Sequence, residues 1–346
     1  MSLTRLPPED NTGAVLVVGP SWVGDMVMIE PLLALLKNRQ PAPAIDVLAP
    51  AWSRPLLERM AQVRRAIDLP IGHGALALGE RWRIGRTLRG QYRQAIVLPG
   101  SWKSALIPLF AHIPKRSGFV RELRYGVLND TRRLDKRALP MTVQRFAALG
   151  LDTGAPLPAD LRPRLQCDPA AVAGTLATLG LDAAAGRVLV LCVGAEYGPA
   201  KRWPAQHFAA VARHYRAQGW QVWLLGSARD APVAAAVNAA ADAGCVDLAG
   251  RTHLGQACDL IASADLVVSN DSGLMHVAAA LGRPLVAVYG SSDPGFTPPL
   301  SDRARVLSLG LPCSPCFKRE CPLGHLRCLN DLAPTQVLAA AAQLLA

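Results

Sequence analysis

The sequence predicts an α/β protein made of two Rossmann-like halves, each with its own parallel sheet. Three observations lead there. At 346 residues the chain is too long for one compact core and suits two domains of ordinary size. Apolar runs of strand length alternate along the whole chain with segments whose apolar residues recur at helical spacing, the rhythm of strands joined by crossover helices. The segment from Thr153 to Pro169 carries four prolines, which ends the first run of alternation and sets a boundary at 165/166.

In the first half, Ala14–Gly19, Ile45–Ala49 and Gln94–Pro99 read as strands because each is a short apolar run bounded by turn residues. Met26–Leu36 places Val27, Ile29, Leu32, Leu33, Leu35 and Leu36 at helical spacing, and Arg81–Arg89 is a second, more polar helix. The second half repeats the rhythm. Arg187–Val193, Trp220–Leu225, Asp265–Ser269 and Pro284–Tyr289 are its strands. Pro204–Gln218, Ala231–Ala241, Leu254–Ala262 and Gly273–Leu281 are the helices between and after them, and Pro334–Ala346 closes the chain as a helix. The expected organisation is therefore 1–165, 166–333 and a terminal helix 334–346. In open parallel sheets, ligands bind beyond the carboxyl ends of the strands, so a cleft between two such halves is the expected place for chemistry.

Composition narrows the function classes. Hydrophobic residues are 51% and charged residues 18%, enough to fill two cores and too apolar for disorder. No apolar run has the length of a membrane span, and Met1 to Gly13 lacks the apolar stretch of a secretory leader, so a cytoplasmic protein is expected. The net charge of +11 is one-sided. Residues 1–165 hold 24 Lys and Arg against 13 Asp and Glu, a difference of +11, whereas 166–346 hold 13 of each. Fifteen basic residues lie between Arg81 and Arg145 against only Glu122, Asp130 and Asp135. Such a field attracts an anionic partner: a nucleic acid, an acidic membrane surface or a phosphorylated substrate. A solvated arginine-rich surface explains the composition equally well.

Eight cysteines divide into two groups. Cys192 and Cys258 lie in apolar stretches that suit a core role. Cys313, Cys316, Cys321 and Cys328 form C-x2-C-x4-C-x6-C with His325 nearby. Without a leader, disulfides are not their expected purpose, and the spacing matches no standard zinc ribbon or finger. A structural metal, disulfides and reduced thiols stay open, and no metal ligand is assigned.

Three junctions could carry chemistry. The first strand runs into Gly19-Pro20-Ser21-Trp22-Val23-Gly24-Asp25 and then a helix. It has neither dinucleotide-binding nor P-loop spacing; it offers instead a carboxylate, Asp25, either as a general base for a hydroxyl nucleophile or as a helix cap. In the second half, Gly194 to Pro204 follows a strand and leads into a helix, with Lys201 and Arg202 at its start. A lysine placed there can neutralise a diphosphate as a point charge. Ser269-Asn270-Asp271-Ser272-Gly273-Leu274-Met275-His276 is a buried strand ending in a polar turn that opens an apolar helix, and a helix start of this kind is an anion site. Asp271 would repel a phosphate directly, so it is expected to hold neighbouring groups. His276 stands one turn in, structural or facing a leaving group.

Taken together, S-W-V-G-D, G-x-x-x-G-P-A-K-R-W-P, L-L-G-S-A-R-D and S-N-D-S-G-L-M-H-V-A-A-A resemble glycosyltransferase family 9, in particular its lipopolysaccharide heptosyltransferases. Ala49-Pro50-Ala51-Trp52, Gly72-His73-Gly74-Ala75-Leu76, Lys103-Ser104-Ala105-Leu106, Arg124 to Asp130, Tyr289-Gly290-Ser291-Ser292 and Phe296-Thr297-Pro298-Pro299 continue the likeness in order over nearly the whole chain. The resemblance implies a GT-B fold. It implies inverting, metal-independent transfer of L-glycero-D-manno-heptose from ADP-heptose to the first inner-core heptose of Kdo-lipid A, with no cofactor. By the same likeness Asp25 is the catalytic base, Lys201 grips the donor diphosphate, and Asp271, Ser272 and Gly273 form the turn under the same phosphates with His276 trailing. Asp230 is the candidate ribose contact and Gly194 a donor-side glycine.

The basic first half then faces an anionic glycolipid acceptor at the cytoplasmic face of the inner membrane. Arg54, Lys103, Arg121 and Arg124 are the candidates for its phosphates and Kdo. Sibling enzymes that add the first or third heptose fit the same motifs, because acceptor choice lies in loops. A nucleotide- or nucleic-acid-binding module is the alternative of a different class. Nucleic acid is not the expected partner, since aromatic residues are only 5% and the basic stretch has no RNA-binding signature.

Overall fold

The seven strands legible in the sequence are seven of the eight inner strands of two parallel sheets. A computed structural model describes residues 13–346 apart from His73 and Leu123; the expectation about the first twelve residues, and His73 of the family-like stretch, lie outside them. The chain divides into two compact units, Met1–Leu161 and Arg162–Ala346, against the expected 165/166. The N–H of Leu165 donates to the carbonyl of Ala280 at 3.0 Å, which ties the segment after the division to the second unit.

The first sheet contains β1 (Val15–Val18), β2 (Ile45–Ala49), β3 (Arg65–Asp68), β4 (Gln94–Val97), β5 (Lys115–Phe119) and β6 (Asp130–Arg132). Among the described residues its order is β3-β2-β1-β4-β5-β6 and every neighbouring pair is parallel. The second contains β7 (Val188–Cys192), β8 (Gln221–Leu225), β9 (Val246–Asp247), β10 (Leu266–Asn270), β11 (Leu285–Val288) and β12 (Ala304–Leu307), in the order β12-β11-β10-β7-β8-β9, again all parallel. Counted from its own first strand, the second sheet has the same order as the first. Each is the doubly wound Rossmann arrangement, and each reverses its winding at one switch point, between β1 and β4 and between β7 and β10.

Of the strands the sequence did not disclose, β3, β6, β9 and β12 are sheet edges and β5 lies between β4 and β6. β1, β2, β4, β7, β10 and β11 are buried along their whole length. Covered on both faces, they read as apolar runs. β3 buries only Ile67 fully, β9 buries neither residue, and β12 is exposed at two of its four positions. Edge strands of that kind carry charge and show no apolar run. Arg65 on β3 is spent on a buried carboxylate: Asp46 of β2 accepts from Arg64 and Arg65 at 2.9 Å and from the Tyr92 hydroxyl at 2.6 Å.

The helix expected over Met26–Leu36 is two helices, Val23–Val27 and Glu30–Lys37. Pro31 lies in the first turn of the second. Its missing N–H cannot continue the first ladder, so the chain turns at Met28 and Ile29 and restarts. The polar helix expected over Arg81–Arg89 spans Leu78–Thr87, and it buries Arg81, Ile84 and Gly85. The final helix, Pro334–Leu345, is not a separate body: Val337, Ala340 and Ala341 sit in the apolar core of the second unit with Phe208, Val222 and Val286.

Candidate active site

Because all strands of a sheet run the same way, the segments that follow them gather along one edge. In the first unit these segments carry Asp25 after β1, Arg54 after β2, Lys103 after β4 and Arg121 after β5. In the second they carry Gly194 and Lys201 after β7, Asp230 after β8, the Asp271-Ser272-Gly273 turn after β10 and Ser292 after β11. Asp25 and Lys103 therefore flank the switch point of the first sheet, and Lys201 and the Asp271 turn flank that of the second.

Asp25 is the third residue of the Val23–Val27 helix, partly exposed. The cap position belongs to Trp22, which makes no side-chain cap, so the capping role weighed for Asp25 does not apply. A carboxylate in the first helical turn sits in the favourable field of the helix start.

The donor-side residues converge. The Lys201 ammonium donates to Asp271 Oδ2 at 2.5 Å, and the Ser292 hydroxyl donates to the same oxygen. The ammonium also stands 5.0 Å from the centre of the Tyr197 ring, whose hydroxyl donates to the carbonyl of Phe317 at 2.6 Å. Asp271 thus serves to hold Lys201 rather than to meet a phosphate. Ser272 is the N-cap of the Gly273–Ala280 helix and its side chain makes no capping bond, so the first-turn N–H groups keep their anion-binding capacity. His276, one turn in, is buried, and burial lowers its pKa to about 4 against the smaller raising effect of Asp271. The imidazole is neutral at pH 7.

Asn270 fixes the loop that carries Lys201. Fully buried at the end of β10, it donates to the carbonyl of Val193 at 2.8 Å and accepts from the Trp203 N–H at 2.9 Å. Sequence reasoning assigned no role to Asn270, Ser292 or Tyr197; the signal available was a polar residue directly after an apolar strand.

Two candidates change role. Arg124 is 1% exposed, and its guanidinium donates to the carbonyls of Pro99 (2.7 Å) and Phe119 (2.5 Å). It clamps the ends of β4 and β5 and is not offered to an acceptor. Asp230 is likewise buried. Its Oδ2 accepts from the N–H and hydroxyl of Ser227 at 2.9 and 2.8 Å, closing a turn, and its Oδ1 lies 3.6 Å from Arg202. That carboxylate faces Gly194, where a Cβ would stand 2.3 Å from Asp230 Cγ, so the glycine is required by packing and the ribose contact is not supported. Arg54 pairs with Asp68 at 2.8 Å on the surface, and the Lys103 ammonium donates to the carbonyl of Gly74. Arg121 is exposed, with its side chain against Gly100.

The cysteine segment braces the donor loop. Arg319 O accepts from Ala200 N–H at 3.0 Å, and Phe317 N–H donates to Ser291 O at 2.7 Å. Cys313, Cys316, Cys321 and Cys328 are free thiols that line one small cavity with His325, Ala200 and Ser291. Among the described residues, no three Cys, His, Asp or Glu side chains form a group that could hold a metal ion.

Known proteins share this arrangement. The model of glycosyltransferase family 9 (heptosyltransferase) matches residues 81–327. The chain is 50% identical over 336 residues to lipopolysaccharide heptosyltransferase 2 of Salmonella typhimurium, covering 94% of this chain and 96% of that one. It is 48% identical over 335 residues to the Escherichia coli enzyme of the same name, covering 94% of this chain and 96% of that one. The solved structure of E. coli ADP-heptose lps heptosyltransferase II superposes with a TM-score of 0.87 at 46% identity, over 96% of this chain and 98% of that one. A match of this extent leaves one assignment: the chain belongs to glycosyltransferase family 9, the heptosyltransferases, with two Rossmann-like units of the GT-B class.

Proposed function

We propose that the protein transfers L-glycero-D-manno-heptose from ADP-heptose to the first inner-core heptose of Kdo-lipid A, with inversion, in lipopolysaccharide core assembly. The observation that carries the reading is Lys201 held beside the start of the Gly273–Ala280 helix, in a chain similar along almost its full length to heptosyltransferase 2 enzymes. As the sugar–phosphate bond breaks, negative charge grows on the departing ADP. Lys201 and the first-turn N–H groups supply fixed positive charge to meet it, each such donor being worth ~3–4 kcal/mol. Asp271 does not oppose that charge strongly, because its carboxylate is already covered by Lys201 and Ser292.

Asp25 takes the proton from the acceptor hydroxyl as its oxygen attacks the anomeric carbon on the face opposite ADP, which inverts the centre through an oxocarbenium-like transition state. With charge supplied by the chain itself, transfer is expected to proceed without a catalytic metal. The acceptor is lipid-anchored and anionic; exposed Arg121 is the first candidate for its phosphates and Kdo, with Arg54 and Lys103 able to join once they leave Asp68 and the Gly74 carbonyl. The protein works from the cytoplasmic face of the inner membrane as a peripheral protein; no helix among the described residues is long and apolar enough to cross a membrane.

The test is transfer from ADP-heptose to mono-heptosylated Kdo-lipid A, followed by mass spectrometry with EDTA present. Addition of one heptose supports the reading. Transfer only to unheptosylated Kdo-lipid A would assign the chain to the step before, and transfer to neither would withdraw the function.

A further inference from the structure

The first unit exposes a set of apolar side chains that its fold does not use and holds firmly in place. Leu76, Leu78 and Trp82 are 43%, 50% and 47% exposed. Leu78 and Trp82 stand four apart on the Leu78–Thr87 helix and so share one face. The helix packs inward through other positions: Ile84 and Leu88 join the apolar core, and a Cβ on Gly85 would stand 2.5 Å from Phe110 Cβ. The loop before the helix is fixed by cations. Buried Arg81 donates to the carbonyls of Leu76 (2.6 Å) and Ala75 (3.2 Å), and the Lys103 ammonium donates to Gly74. A buried guanidinium is therefore spent on fixing the backbone that holds Leu76 outside.

The charge around this ridge has one sign. Between residues 72 and 93 there are five arginines and one acidic residue, Glu80. Arg83, Arg86 and Arg89 are exposed on the helix and just past its end, and the Arg86 guanidinium lies 4.7 Å above the Trp82 ring. Glu80 pairs with Arg83 at the surface, where such a pair is worth little against a strong anionic field. Leucine and tryptophan at the level of lipid headgroups with arginines among the phosphates is the chemistry of an interfacial helix.

We propose that the segment 76–89 docks the protein on an anionic phospholipid surface, with Leu76, Leu78 and Trp82 entering the headgroup layer and Arg83, Arg86 and Arg89 pairing with lipid phosphates. This rests on the reading above, in which the acceptor is anchored in a membrane. The occupant is lipid because three apolar side chains ringed by arginines make too small a patch for a stable protein interface, yet match the mixed apolar and anionic character of a bilayer surface.

Sedimentation with vesicles of phosphatidylcholine, alone or mixed with phosphatidylglycerol, tests the proposal on the full chain. The wild type is expected to bind only the mixed vesicles, and less as salt rises. Leu78→Ser with Trp82→Ser, and separately Arg83→Gln with Arg86→Gln, are expected to weaken binding by about tenfold or more. Both pairs lie on the outward face, so an unchanged melting temperature checks the fold. Transfer is then compared on vesicle-embedded acceptor and on deacylated, soluble acceptor. A fall confined to the embedded acceptor supports docking. Variants that bind vesicles like the wild type, or an equal fall on both acceptors, overturn it and place the ridge in the acceptor site. Wild type without transfer to soluble acceptor would defeat the functional reading instead, and the vesicle measurement would then decide docking alone.

Discussion

Replacing Gly194 by alanine should loosen the donor site by a steric route that can be reversed. The new Cβ would stand 2.3 Å from Asp230 Cγ and Oδ2 and 2.6 Å from Oδ1, about 1 Å or more inside contact distance. Asp230 cannot swing away cheaply, because its Oδ2 is held by the N–H and hydroxyl of Ser227. The backbone of Gly194 must move instead, and its carbonyl is tied at 3.3 Å to Asn270, which also holds Trp203 next to Lys201 and Arg202. Overpacking of this kind costs about 1–3 kcal/mol, and displacement of the loop should raise the Kd for ADP. Asp230→Ala alone loses the turn closure, worth roughly 0.5–2 kcal/mol. The double variant removes the clash, so its stability should exceed the sum of the single effects by roughly 1–3 kcal/mol. Denaturant melts and ADP calorimetry on the four proteins measure both quantities. A neutral Gly194→Ala, or a double variant that is merely additive, would refute the packing argument.

Four further outcomes are expected. Asp25→Asn should lower kcat by ~10²–10⁴ while leaving the Kd for ADP unchanged in calorimetry, since the residue acts on the acceptor proton. Lys201→Met should weaken ADP binding by about tenfold or more and also lower the melting temperature, because Asp271 is 5% exposed and loses its cation. Arg124→Met should destabilise by about 2 kcal/mol or more in denaturant melts, since buried carbonyls lose their donor, whereas Arg121→Glu should raise the acceptor KM without a stability change. The depressed pKa of His276 makes stability pH-dependent: the contribution is full above the unfolded value of 6.5 and is lost as pH falls toward about 4. Over that window the loss is on the order of 3 kcal/mol, and His276→Gln should flatten it in thermal melts.

In the proposed reaction, the setting of Lys201 accounts for a donor side without excess charge. Its ammonium is paired with one oxygen of Asp271 and rests over Tyr197, which avoids leaving a partly buried cation unpaired and leaves further N–H donors for a ligand. The partner that holds the lysine is itself held by Ser292. The charge is thus fixed in place by the chain itself, as the proposed electrostatic role requires. The surplus of basic residues lies in the first unit.

The sequence by itself determined the α/β class, the two-unit organisation and the loops that carry Asp25, Lys201 and the Asp271 turn. Inner strands are buried on both faces and must be apolar throughout, and a parallel sheet must place its functional loops directly after them. It could not disclose β3, β6, β9 and β12, whose edge positions let them carry charge, nor β5, an inner strand that opens on Lys115 and Arg116 and so shows no apolar run. Nor could it separate arginines by role. Arg121 and Arg124 are three residues apart in the same basic stretch, yet one is exposed and the other clamps the carbonyl of Pro99, just after β4, to that of Phe119 at the end of β5. Asp230 and Gly194 are 36 positions apart and meet only when β7 and β8 pair. Burial and hydrogen-bond partnership are properties of neighbours brought in from distant parts of the chain, so only the tertiary structure decided which charged residues support the fold and which remain for a ligand.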